Sequence, residues 1–194
     1  MPDNEKNKLS KRQAYEDRES TAALLLEDAI SWIKLIIFTV IVAVVLNQFV
    51  IVNASIPTGS MESAIMPNDR IVAFRLSYLF YDPDRFDIVI FRYPDDETQL
   101  YVKRIIGMPG ETVNIIDGHV FIDDSQVPLR YDFVRGSIFG NYGPFIVPED
   151  SYFVLGDNRG NSEDSRSWLN PFVRRDAILG RAIFKYWRGF SFLS

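Results

Sequence analysis

The sequence predicts a mainly β, antiparallel domain that follows one N-terminal transmembrane helix. Three observations carry that prediction. A single uncharged apolar run occupies residues 35–52, short stretches rich in Val, Ile, Phe and Tyr follow it, and Pro, Gly, Asp and Asn cluster between those stretches. With 194 residues, 47% of them hydrophobic, the chain can fill one sizeable core, so one folded domain with accessories is expected.

The apolar run reads LIIFTVIVAVVLNQFVIV, and its only polar members are Thr39, Asn47 and Gln48. As a helix it reaches roughly 27 Å, close to the hydrocarbon thickness of a bilayer. Aliphatic side chains fall on every helical face, which suits lipid better than a one-sided core. Lys34 flanks the run, Lys6, Lys8, Lys11, Arg12 and Arg18 lie upstream, and no Lys or Arg occurs from 53 to 69. This asymmetry predicts a cytoplasmic N-terminus and an extracytoplasmic C-terminal domain. The expected organisation is a cytoplasmic tail and pre-membrane helix over 1–34, the span over 35–52 and the outer domain over 53–194. Val52-Asn53-Ala54 also fits the small-residue pattern of an export cleavage site, so a removable signal sequence competes with a retained anchor. The long stretch ahead of the apolar region favours the anchor.

Within the outer domain the pattern predicts strands at 71–74, 86–93, 100–106, 112–116, 120–122, 152–155 and 182–187. Only 170–178 carries a competing helical period. Asp117-Gly118 reads as a two-residue hairpin turn that places His119 at a strand start.

Composition narrows the function. The net charge is -5, from 21 basic and 26 acidic side chains, so no cationic surplus exists to neutralise a nucleic acid. There is no cysteine, which removes disulfides, thiolate metal sites and a cysteine nucleophile together. His119 is the single histidine, so a serine hydrolase here must use it or do without.

Three segments carry the chemistry. Pro57-Thr58-Gly59-Ser60-Met61 shapes the backbone just ahead of a serine, and glycine permits another backbone to approach closely. In Tyr101-Val102-Lys103-Arg104-Ile105-Ile106, strand alternation puts Lys103 with Tyr101 and Ile105 and Arg104 with Val102 and Ile106. One of the two cations therefore faces inward, unless both sheet faces are wet. A buried lysine is driven toward its neutral form and can then take a serine proton, whereas arginine stays charged. The third segment is the polar loop Gly156-Asp157-Asn158-Arg159-Gly160-Asn161-Ser162-Glu163-Asp164-Ser165-Arg166. A Ca²⁺ loop is its natural alternative, but the acidic spacing is not that of an EF-hand and two arginines oppose a cation.

In this order the three segments resemble type I signal peptidases of the single-span kind: Pro-x-x-Ser-Met after a span, a Lys-Arg pair leading into Gly-x-Pro-Gly, and Gly-Asp-Asn-Arg-x-x-Ser-x-Asp-Ser-Arg. The resemblance runs from about residue 47 to 188 and implies a β-rich, signal-peptidase-like catalytic domain. It implies a membrane-bound serine endopeptidase that removes signal peptides from exported preproteins through an acyl-enzyme. Ser60 is then the nucleophile and Lys103 its general base, with Ser162 orienting the lysine amine. Thr58, where the family commonly has a serine, joins the Ser60 N–H in the oxyanion hole. Asp157, Asp164 and Arg166 fall at positions of structural support.

No cofactor or metal is implied; the partners implied are preproteins with small residues at −1 and −3, membrane lipid and nearby export machinery, and no nucleic acid. Departures from the family pattern are Glu62-Ser63-Ala64-Ile65 after Met61, Asn68-Asp69, and Phe86-Asp87 in place of Gly-Asp. Two other readings share parts of the pattern: a self-cleaving Ser-Lys protease of the SOS-repressor type, and an inactive tethered scaffold. An anchor in place of a DNA-binding domain opposes the first, and the complete Ser60, Lys103 and Ser162 set opposes the second. An extended chain keeps Ser60 within roughly 29 Å of the end of the span, and the aromatic runs at 74–81 and 186–193 are candidates for the membrane interface.

Overall fold

The computed structural model describes residues 25, 27–187 and 189–193, in two units, Met1–Leu46 and Asn47–Ser194. Residues 1–24 of the expected tail lie outside the described residues. Helix α1 (Glu27–Val50) is long and apolar enough to cross a membrane, and none of its most apolar window is buried in protein. It begins ahead of the predicted span because Glu27, Asp28 and Lys34 limit burial in lipid without opposing a helix. Ile51 and Val52, read as the end of the span, instead open β1 (Ile51–Ser55). Their β-branched side chains are at home there, and the strand pairs with β2 (Arg70–Phe74) from Ile51↔Phe74 to Ser55↔Arg70.

The second unit is antiparallel β throughout its two sheets. After the short helix α2 (Ser77–Phe80) come β3 (Ile88–Tyr93), β4 (Asp96–Gly107), β5 (Thr112–Ile116), β6 (His119–Ile122), β7 (Tyr142–Ile146), β8 (Ser151–Leu155), β9 (Phe172–Arg174), β10 (Ile178–Lys185) and β11 (Ser191–Phe192). The larger sheet runs β1-β2-β10-β3-β4-β8-β9 with β11 added on β10, and the smaller runs β6-β5-β7.

Both faces of the larger sheet are covered. On β3, Ile88 and Ile90 enter one core with Ile71 and Met61, while Val89 and Phe91 enter another with Tyr152 and Val154. That is why β3 reads as an unbroken apolar run rather than an alternating one. β8 is likewise buried along its length, with Phe153 and Leu155 meeting Val113 and Ile115 of the smaller sheet.

Beyond β1, strands β7, β9 and β11 were not expected. The stretch 170–178, where a helical period competed, is β9 followed by the 3-10 turn Arg175–Ala177. Pairing of Val173 with Tyr152 and its complete burial outweigh the local helical period. β7 escaped notice because Gly143 and Pro144 look like a turn; Pro is tolerated there because β7 is an edge strand.

The question of which cation on β4 faces inward has an unexpected answer. Lys103 is 4% exposed and Arg104 1%, on opposite faces of one strand. Arg104 donates from Nε and Nη2 to the Asp157 carboxylate at 2.9 and 2.8 Å and from Nη1 to the Phe86 carbonyl at 2.9 Å. Its guanidinium also lies 3.9 Å from the centre of the Phe133 ring. Removing one member of a buried ion pair costs about 3–5 kcal/mol. Asp157→Ala is therefore expected to lower unfolding free energy by about that amount, read as a reduced denaturant midpoint at unchanged m-value; a shift below about 0.5 kcal/mol would deny the pair its structural weight.

Candidate active site

Ser60 sits in a loop closed at its base by two backbone bonds, Ile56 N–H to the Asp69 carbonyl and Asn68 N–H to the Ile56 carbonyl, at 3.0 and 2.7 Å. Met61 and Ile65 are fully buried and pin the loop into the core. Asp69 and Met66 close it further, since the Met66 N–H donates to the Asp69 carboxylate at 2.9 Å. Ile65 takes over the apolar anchoring at a place where this chain departs from the family pattern.

The second side chain comes from β4. Lys103 Nζ donates to Ser60 Oγ at 2.7 Å in a buried environment. Desolvation dominates its electrostatics, opposed by the Asp164 and Glu163 charges, and lowers its pKa from 10.5 to about 8. That drop corresponds to about 3 kcal/mol against the charged form, so a useful fraction of the amine is neutral near physiological pH. His119, by contrast, is exposed and its Nδ1 is 3.0 Å from the Asp117 carbonyl. It stands at the start of β6 after a turn with positive φ at Asp117 and Gly118, as the sequence suggested.

Thr58 Oγ1 lies 3.4 Å from Ser60 Oγ, so the two hydroxyls share one environment. Ser162 is the residue that the resemblance implies orients the lysine amine. Its Oγ is buried with no hydrogen-bond partner among the described residues, and Lys103 Nζ bonds Ser60 Oγ instead. Asp164 is fully buried and ties the polar loop to itself: it accepts from the Gly156 N–H at 3.0 Å and from Arg166 Nε and Nη2 at 2.7 and 2.9 Å. Arg166 Nη2 reaches on to the Arg159 and Ser162 carbonyls at 2.9 and 3.3 Å.

Three residues of this loop matter although the sequence reading assigned them no role. Asn158 holds the backbone of the Ser60 loop, its N–H donating to the Ser60 carbonyl and its Nδ2 to the Gly59 carbonyl, both at 3.0 Å. Ser165 is fully buried and its Oγ accepts the Val154 N–H at 2.9 Å, fastening the loop to β8. Gly156 separates Ser162 from Ser60. A Cβ on it would lie 2.2 Å from Ser162 Oγ and 2.5 Å from the Ser60 carbonyl oxygen, closer than any side chain allows. The signal was in the sequence, as a glycine and an amide beside the first aspartate, but their roles depend on which loop they face.

A serine hydroxyl joined to a desolvated amine, with the single histidine exposed elsewhere, is an arrangement suited to a serine hydrolase that uses lysine in place of histidine. The family described as signal peptidase, peptidase S26, matches residues 29–187, and the chain belongs to it. It is 37% identical over 166 residues to a probable signal peptidase I-2 of Synechocystis sp., covering 81% of this chain and 74% of that one. A signal peptidase I of Leptolyngbya laminosa is also 37% identical, over 163 residues, covering 80% and 78%. Among solved structures, a signal peptidase I of Enterococcus faecalis V583 matches 52% of this chain and 97% of its own at 37% identity, with a TM-score of 0.43.

Gly156→Ala is expected to cut kcat by about 10²-fold or more, because the new methyl pushes Ser60 or Ser162 from the positions they hold beside Lys103 and the polar loop. A kcat within about threefold of the parent, with an unchanged melting temperature, would show that the loop absorbs the methyl.

Proposed function

We propose that Ser60 and Lys103 form the catalytic dyad with which this membrane-bound serine peptidase removes signal peptides from preproteins. The observation that carries the assignment is the 2.7 Å bond between a buried lysine amine and the serine hydroxyl. Neutral Lys103 accepts the Ser60 proton as Oγ attacks the scissile carbonyl. The ammonium so formed returns its proton to the leaving amine, and the signal peptide remains as an ester on Ser60. Lys103, neutral again, takes a proton from the water that hydrolyses this ester and restores the serine. The Thr58 hydroxyl, near Ser60 Oγ, supports the reading that it and the Ser60 N–H stabilise the tetrahedral oxyanion. Ser162, buried beside Gly156 with its hydroxyl unused, is the candidate to receive a Lys103 N–H when the amine turns from Ser60 during the cycle. Asp157, Asp164 and Arg166 act through the loop they brace.

In this reading residues 1–34 are the cytoplasmic tail and pre-membrane helix, 35–52 contain the span, and 53–194 form the extracytoplasmic catalytic domain. Helix α1 supports an anchored protein, and the excess of Lys and Arg ahead of it supports the orientation. Lipid contact is supported by the exposed Leu79, Phe80 and Tyr81 and by Trp187, Phe190 and Phe192, all in the two aromatic stretches. Substrates with small residues at −1 and −3, delivered close to the export machinery, are part of the same proposal.

The test is cleavage of a preprotein by the full chain in detergent. Ser60→Ala and Lys103→Ala are each expected to reduce kcat/KM by about 10³-fold or more, with both variants folded. Cleavage by either at near-parental rate would remove the dyad.

A further inference from the structure

A cavity of about 480 Å³ lies away from Ser60, lined among others by His119, Leu129, Arg130, Tyr131, Ile138 and Arg159. Its lining holds two arginines and the chain's single histidine but no carboxylate, although acidic side chains outnumber basic ones 26 to 21. Arg159 is the informative member. It is only 2% exposed, and its Nη1 donates to the Tyr131 hydroxyl at 2.9 Å and its Nε to the Gly156 carbonyl at 3.1 Å. The guanidinium lies 4.8 Å from the centre of the Tyr131 ring. Two of the five N–H donors of a guanidinium are thus committed. Arg104 and Arg166 close by each have a carboxylate, Asp157 and Asp164. Arg159 has none among the described residues. A buried cation without a counter-charge is costly, and an oxyanion in the cavity would supply one.

We propose that this cavity is a binding site for a phosphate monoester. A planar guanidinium with free paired donors fits a phosphate, and exposed Arg130 adds a second charge at the rim. Leu129 and Ile138 offer the apolar wall that the organic part of the ester would cover. The site is independent of the peptidase chemistry, although Arg159 touches it through the Gly156 carbonyl.

The single histidine provides the readout, because the His119 ring gives one imidazole signal in the full chain. In neutral detergent micelles, hexyl phosphate is titrated in one arm and phosphatidic acid is doped into the micelles in the other, with hexanol as the uncharged control. A saturable shift of the His119 resonance is expected in at least one arm, weakened about tenfold by Arg130→Gln, with hexanol inert. A response to hexyl phosphate assigns a soluble ester, and a response to phosphatidic acid alone assigns a lipid headgroup. No saturable shift in either arm, an equal shift with hexanol, or responses unchanged by Arg130→Gln would overturn the proposal.

Discussion

Burial of two adjacent cations on one strand is the constraint on which the rest of the site depends. Because β4 alternates, Lys103 and Arg104 must be solved separately, on opposite faces. Arginine cannot discharge, so its face has to supply a carboxylate, a carbonyl and an aromatic ring, which Asp157, Phe86 and Phe133 do. Lysine can discharge, and on its face desolvation outweighs the opposing charges of Asp164 and Glu163. Its bonded partner is a hydroxyl. The same strand therefore holds one cation permanently and lowers the pKa of the other.

Asp157 gives this arrangement its reach. Anchored by Arg104, it fixes the start of the polar loop, and the following Asn158 grips the Gly59 and Ser60 carbonyls. Asp164 and Arg166 close the far end, and Ser165 ties it to β8. Between these anchors Gly156 lets Ser60 and Ser162 approach from either side. Ser60, Lys103 and the loop are thus held in place by the residues around them. A buried polar network of this kind favours one arrangement over its neighbours, because each broken bond leaves a buried group unsatisfied.

Where one physical cue dominated, the sequence was a sound guide. The apolar run announced α1, and β-branched runs bounded by turn residues announced seven of the strands, with β5 at its observed limits. Elements misread were those decided by tertiary pairing: β1 continued the apolar run, β7 contained Gly143 and Pro144, and β9 lay under a helical period. Ser60, Lys103, Thr58 and the polar loop were legible as motifs, because their residue types have few other reasons to occur in that order. Joint burial of Lys103 and Arg104 was not, since a two-residue period predicts opposite faces but cannot say that both faces are covered. Asn158 and Gly156 were hidden for a similar reason: their roles exist only across the gap between two loops.

Membership of the signal peptidase family accounts for the reaction, and in the proposed mechanism a buried lysine does the work for which a chain with one exposed histidine has no imidazole at Ser60. The central claim is that Lys103 is a neutral base near the working pH. Its most direct test is an NMR titration of the Lys103 side chain in the full chain, identified by loss of its signal in Lys103→Ala. A titration midpoint at about 8 is predicted, with the amine charged below that pH and neutral above it. A midpoint near the ordinary lysine value of 10.5 would contradict the account, because the amine would then be almost wholly protonated where the enzyme must work.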